Sequence, residues 1–242
     1  MTPKNFLFFL RQLIKLLPYT KKLFTILALG IGGSSLGPRL VLQALADIAD
    51  GPVVRFAENL DPVSLDEALA GLDPATTLVV VASKTFTTQE TMTNAAAAKR
   101  WIVTALGEGA VARHFVAATA KADEAARFGL PECNVFPFGE WIGGRYSLWS
   151  SVGLPIAIAI GMPAFERLLA GAHAADLEFR SSPPERNVPV LAALVGLWNR
   201  NFLGMGVLAV LPYADRLASL SAYLQQLEME SNGKSVRLDG SP

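Results

Sequence analysis

Short apolar runs of strand length recur along this chain, and each leads into turn-forming residues and then a segment of helical period. Thr25–Leu29, Val53–Ala57, Thr77–Ala82, His114–Thr119 and Val135–Phe138 are such runs. Strands that alternate with helices are joined by crossovers, so they pair in parallel, and the crossovers are right-handed. The pattern predicts an α/β fold, a doubly wound parallel sheet flanked by helices. With 242 residues, 51% of them hydrophobic, the chain can bury a substantial core in one large or two modest domains. In such sheets ligands bind beyond the carboxyl ends of the strands, so those turns are the places to look for function.

The turn after Thr77–Ala82 reads Ser83-Lys84-Thr85-Phe86-Thr87-Thr88-Gln89-Glu90 and enters an Ala-rich helical stretch, Thr91 to Leu106. Thr87 and Glu90 have the spacing of a capping box. A helix start carries open N–H groups and a positive dipole end, and both favour an anion. Four hydroxyls and the Lys84 ammonium add donors and charge, so the local chemistry points to phosphate. The plainer alternative is a well-capped helix with solvated hydroxyls. A similar corner follows Thr25–Leu29, namely Gly30-Ile31-Gly32-Gly33-Ser34-Ser35-Leu36-Gly37-Pro38. Pro38 suits a first helical turn, and Gly32 and Gly33 let the backbone turn sharply near a ligand. A dinucleotide fingerprint would also need an acidic residue about 20 positions on, at a strand end. Glu58, after Val53–Ala57, is a poor match. Two hydroxyl-bearing corners on one rim strengthen the phosphate reading.

Ser64–Ala70 reads as a short helix capped by Ser64, with Glu67 at its third position. Further on, Gly143-Gly144-Arg145 precedes Tyr146-Ser147-Leu148-Trp149-Ser150. The glycines allow close backbone approach, and the arginine can hold an anion or a developing oxyanion. Helices are expected near Leu148–Ile160, Ala164–Phe179 and Val190–Phe202. Gly206–Tyr213 reads as another apolar strand, and a helix over Leu217–Ser231 stops at Asn232-Gly233 through a left-handed turn. Gln226 and Glu230 are four apart on one face of that helix. A strand and one helix cannot bury themselves, so this last unit reads as unfinished.

Lysine plus arginine and aspartate plus glutamate balance at 21 each, so no global field draws the protein to nucleic acid. One cysteine, Cys133, cannot form an internal disulfide, which suits a reducing cytoplasm. Neither His114 nor His173 has metal-ligand spacing around it, so no metal is expected. Residues 1–23 are basic and apolar, and Asp47 is the first acidic residue. They can be a basic amphipathic helix on a membrane or a partner; a helix covering the sheet is preferred. No stretch reaches the roughly 18 to 20 apolar residues of a membrane span.

Gly30–Pro38, Ser83–Thr93, Gly143–Ser151 and Tyr223–Lys234 together resemble the glucose-6-phosphate isomerase family, motif for motif and in order. The resemblance covers roughly residues 25 to 240 and implies sugar-isomerase (SIS) subdomains. The expected division is a non-matching segment 1–23, a first SIS subdomain over 24–162, connecting helices over 163–205 and the start of a second subdomain over 206–242. It implies that Gly33, Ser34, Ser83, Lys84, Thr85 and Thr88 bind the substrate phosphate region. It further implies that Arg145, beside Gly144, stabilises an enediolate, that Gln226 positions the sugar, and that Glu230 carries the proton between C2 and C1. No cofactor is implied, and a homodimer is. Relatives are about twice as long and bring a later ring-opening histidine and a later lysine. The chain is therefore expected to be truncated at both ends, and a catalytically impaired SIS module that binds sugar phosphate is the alternative expectation.

Overall fold

The computed structural model describes residues 25–241; the basic segment 1–23 lies outside them. Strands β1 (Thr25–Leu29), β2 (Val53–Ala57), β3 (Thr77–Ala82), β4 (Phe115–Thr119) and β5 (Val135–Pro137) form one sheet in the order β2-β1-β3-β4-β5. Every pairing is parallel, with Thr25 of β1 opposite Val53 on one side and Thr77 on the other. The doubly wound parallel sheet anticipated from the sequence is therefore present. The sheet grows outward from β1 to β2, then reverses and runs through β3 to β5. With right-handed crossovers, that reversal puts the first connecting helix on one face and the later ones on the other.

The two cores show this directly. Leu27, Leu29, Val79, Val81, Phe115 and Ala117 pack under helices α2 (Pro62–Leu69), α3 (Gln89–Leu106) and α5 (Ala122–Phe128). Their strand neighbours Ile26, Leu78, Val80, Val116 and Phe136 pack under α1 (Gly33–Ala44), α6 (Leu154–Ile160) and α7 (Met162–Ser181). Alternate residues of each strand thus serve opposite layers, as the two-residue period of a strand requires. Helix α6 is buried along its whole length, consistent with its all-apolar sequence. Short α4 (Val111–His114) leads into β4, so His114 ends a helix instead of opening a strand. Its Nδ1 lies 2.8 Å from the Thr77 carbonyl oxygen.

Several local details differ from the expectations. Helix α2 is capped by Asp61, whose carboxylate accepts from the Val63 amide at 3.1 Å, with Pro62 at the first turn. Ser64 is already inside that helix. Helix α1 begins at Gly33, so Pro38 lies within it. The capping box at α3 does not form, because the Thr87 hydroxyl donates to Thr85 Oγ1 at 2.9 Å. Residues 144–153 form 3-10 turns before α6 begins.

After α7 come α8 (Val188–Asn201) and α9 (Leu220–Asn232). Gly206–Tyr213 is not a strand; it is irregular and open, with Val207 88% and Tyr213 97% exposed. A strand needs a ladder partner, and none is offered to it among the described residues. Gly233 has φ −74°, so α9 ends without a left-handed residue. Helix α8 buries none of its residues, and Val188, Leu194, Val195, Leu197, Trp198 and Phe202 are all exposed. Among the described residues no helix is long and apolar enough to cross a membrane.

Two outcomes follow. Leu194→Glu together with Leu208→Glu should reduce self-association of the 242-residue chain, read by light scattering, while unfolding free energy changes by no more than about 0.5 kcal/mol, because neither side chain is packed. Gly33→Ala should behave oppositely. A Cβ there would stand 1.9 Å from the Gly144 carbonyl oxygen, so urea unfolding should show a loss of about 1–3 kcal/mol.

Candidate functional site

The order of the sheet selects the site. Strands β1 and β3 are neighbours at the point where the winding reverses, and a crevice opens beyond their carboxyl ends at such a point. The two corners singled out in the sequence, Gly30–Ser34 and Ser83–Thr88, follow these two strands. The first corner lies against the end of β3: a Cβ on Gly30 would meet the Ala82 carbonyl oxygen at 3.1 Å, as well as Ser34 Cβ of its own corner at 2.9 Å. Gly32 has φ +57°, a conformation that disfavours side chains, and a Cβ there would lie 2.9 Å from Gln226 Nε2.

The second corner is a preformed hydroxyl network. Buried Ser83 donates its amide to the Ala118 carbonyl at 3.1 Å. Its Oγ accepts from the Phe86 amide at 3.1 Å and lies 3.1 Å from Thr88 Oγ1. Thr85 Oγ1 accepts from the Thr87 amide at 3.3 Å. The Lys84 carbonyl accepts from Ala120 N at 3.0 Å and Thr119 Oγ1 at 3.2 Å, which ties the corner to the end of β4. Phe86 has φ +54°, an uncommon conformation for a bulky residue. Its buried ring, edge-on to Phe128 with centroids 5.9 Å apart, holds it there.

The carboxylate and the arginine meet on the other side of the first corner. Arg145 Nη1 lies 3.2 Å from Glu230 Oε1, and Arg145 Nε donates to Ser231 Oγ at 2.8 Å. Gln226 Nε2 donates to Glu230 Oε2 at 3.3 Å, so the carboxylate is bracketed by one donor on each oxygen. Gln226 Oε1 is buried with no partner among the described residues, an acceptor suited to a ligand hydroxyl. The Arg145 guanidinium lies over the Tyr146 ring at 5.0 Å. The side chains of Arg145 and Glu230 are 23% and 45% exposed, so both remain open to a small molecule. Helix α9 is seated by Tyr223, whose ring lies 3.5 Å from where a Gly37 Cβ would stand; burial pushes its hydroxyl pKa up.

Gly33, Gly144, Arg145, Gln226 and Glu230 thus form one contiguous group. Ser34, Ser83, Lys84, Thr85 and Thr88 line the adjoining strand ends. Among the described residues no hydrogen bond joins the second corner to the carboxylate. Sequence reasoning passed over Lys121 and Glu140, an ion pair at the ends of β4 and β5. Lys121 and, less strongly, Lys84 hold the Glu140 carboxyl below its ordinary value, and Glu140 raises Lys121. A rule that every strand end on the rim be inspected would have found both. It also passed over Ser147, whose hydroxyl donates to the Gly144 carbonyl at 2.8 Å and braces the arginine loop. No three His, Cys, Asp or Glu side chains gather as a metal site among the described residues.

The chain is similar to several known proteins. The glucose-6-phosphate isomerases of Brucella ovis and Brucella abortus (strain S19) are each 53% identical over 222 residues, which is 92% of this chain and 40% of each relative. The chain therefore spans less than half the length of these relatives. A glucose-6-phosphate isomerase structure from Chlamydia trachomatis superposes with TM-score 0.87 at 37% identity, covering 96% of this chain and 45% of that one. A hypothetical protein from Thermus thermophilus gives TM-score 0.80 at 31% identity, covering 96% of this chain and 54% of that one. Residues 18–242 match the family described as phosphoglucose isomerase, and on that match, with the relatives beside it, the chain belongs to the phosphoglucose isomerase family.

Proposed function

We propose that the chain is an aldose–ketose isomerase that interconverts glucose 6-phosphate and fructose 6-phosphate, a step of glycolysis and gluconeogenesis. The observation that carries this reading is the Glu230 carboxylate bracketed by Arg145 and Gln226, against the Gly32–Gly33 corner at the sheet's winding reversal. Isomerisation moves one proton between adjacent carbons and leaves the electron count unchanged. It needs a base at the carbon and a fixed positive charge at the oxygen where negative charge grows.

In this reading the phosphate is held by the hydroxyls of Ser34, Ser83, Thr85 and Thr88 and by the Lys84 ammonium. Ser83 and Thr88 now bond to each other and Thr85 to Thr87, so these hydroxyls exchange one partner for another when the anion arrives. Glu230 takes the proton from C2 of the open-chain aldose as the C1 carbonyl oxygen becomes the enediolate oxygen. It returns that proton to C1 as the C2 hydroxyl gives up its own proton and becomes the ketone. The oxygen on C1 takes up a proton, so that one hydrogen passes between the carbons and one between the oxygens. Arg145 keeps donor capacity beyond its bonds to Glu230 and Ser231 and offers it to that oxygen. Gln226 presents its unpartnered Oε1 to a sugar hydroxyl, while Gly33 and Gly144 keep the pocket wall to bare backbone. No cofactor enters this chemistry.

The first SIS subdomain is assigned to 24–162, the connecting helices to 163–205 and the start of a second subdomain to 206–242. A cytoplasmic location and a homodimer complete the reading. A second reading, an SIS module that binds sugar phosphate without turning it over, is favoured by the openness of Glu230 and of α8.

A coupled isomerase assay and a fructose 6-phosphate titration decide between them. Glu230→Gln should lower kcat by about 10²- to 10⁴-fold with affinity changed only a few-fold. Arg145→Lys should cost roughly 10²- to 10³-fold. Ser83→Ala with Thr88→Ala should instead weaken binding of the sugar phosphate. Saturable binding by the unaltered chain without turnover would establish the second reading.

A further inference from the structure

Helix α9 carries Gln226 and Glu230, yet it has no buried residue of its own. Apolar packing alone therefore does not locate it, and its polar contacts must be followed to find what does. At its start, the Gln43 side chain reaches from the last turn of α1 and makes bonds in both directions. Nε2 donates to the Asp215 carbonyl at 3.2 Å. Oε1 accepts from the Ser219 amide at 3.2 Å and from the Ser219 hydroxyl at 2.7 Å. Ser219 is the N-cap position of α9, so this amide group fixes both the turn before the helix and its first residue. Asp47, four positions on, pairs with Arg216 at 2.8 Å, but both side chains are more than half exposed. Such pairs contribute little.

We propose that Gln43 is a positioning residue: its two-way amide clamp fixes the start of α9 on α1 and thereby sets where the Glu230 carboxylate stands. The catalytic part of this rests on the isomerase reading. The same helix α1 starts at Gly33, against Gly144 and beside Arg145. One rigid rod therefore registers the arginine at one end and the carboxylate's helix at the other. Glu230 lies roughly 16 Å along α9 from Ser219 at about 1.5 Å per residue. A small pivot at the clamp is magnified at the carboxylate, and a displacement of about 1 Å in a reacting group can cost around 100-fold. The phosphate corner after β3 takes no part in the clamp. Loss of Gln43 should therefore spare the phosphate grip, while it slows proton transfer and loosens the sugar contact of Gln226, which rides on the same helix as Glu230. A glutamine is suited to this task because it donates and accepts at once; leucine supplies neither function, and glutamate only accepts.

The test uses Gln43→Leu and Gln43→Glu in the 242-residue chain. Amide hydrogen exchange should accelerate at least tenfold through Leu220–Asn232 in Gln43→Leu, with β1 to β5 as in the unaltered chain and Gln43→Glu intermediate. In the isomerase assay Gln43→Leu should lower kcat about 10- to 100-fold and raise KM for fructose 6-phosphate only a few-fold, through Gln226 on the same helix. The deuterium isotope effect on 2-deuterated glucose 6-phosphate should rise, because a misplaced base makes proton abstraction slower relative to the other steps. A mere loss of folded protein would lower the rate without moving that isotope effect, and this result would overturn the proposal. Unchanged exchange in α9 would overturn it as well. If the unaltered chain shows no turnover, the isomerase reading fails by itself, and the exchange measurement alone decides on the clamp.

Discussion

The approach of Gly33 to the Gly144 carbonyl is the contact on which the rest of the site depends. A methyl group there would stand 1.9 Å from that oxygen, so the two loops meet backbone to backbone. Close backbone contact is stiff, because no side-chain rotamer is available to absorb a shift. It locks the start of α1 to the residue before Arg145, and Ser147 braces the same carbonyl from the other side. Arg145 then has little freedom in where it projects. Its two bonds to α9, at Glu230 and Ser231, bring the carboxylate into the same frame. A chain of short contacts thus links β1 to the last described helix without passing through the hydrophobic core.

The second corner is stiff for a different reason. Phe86 holds an unfavourable φ, and burial of its ring against Phe128 offsets the strain. In return Phe86 N points at Ser83 Oγ, and the hydroxyls of Ser83, Thr85, Thr87 and Thr88 bond within the corner. Hydroxyls that are ordered before an anion arrives lose less entropy when it binds. The price of that order is met by the core beneath it, in which Ala82, Ala118, Phe138 and Val152 pack under the rim.

How much of this was legible depended on the range of the interaction. The strands were readable because apolar runs of fixed length between turn residues carry the signal locally, and from them followed the sheet type and the rim. The residues of the site were readable as corners and as a helical pair, Gln226 with Glu230, since those patterns also lie within a few positions. Asp61 displaced Ser64 as a cap because Pro62 presets the first helical turn just after it. The Thr87 cap failed because Phe86 turns the backbone in a way that no glycine announced. Gly206–Tyr213 has the composition of a strand, but pairing is a property of the neighbour as much as of the segment. Gln43 and Asp215 are 172 positions apart, and a polar contact at that separation leaves no period in the sequence.

These differences in range also divide the molecule by the kind of force that holds each part. The corners after β1 and β3 stand on a sheet with apolar layers on both faces, so they should open only when the whole domain opens. Helix α9 rests on a few polar bonds and one seated tyrosine, and such contacts can break locally at small cost. In the proposed reading, anion binding and proton transfer thus fall to parts of unequal rigidity. On that reading a bound sugar phosphate whose hydroxyl met Gln226 Oε1 would add a contact to the weaker part and so tighten the helix that carries Glu230. By linkage that tightening and the affinity are one quantity, which makes the least buried helix of the site the element most responsive to its ligand.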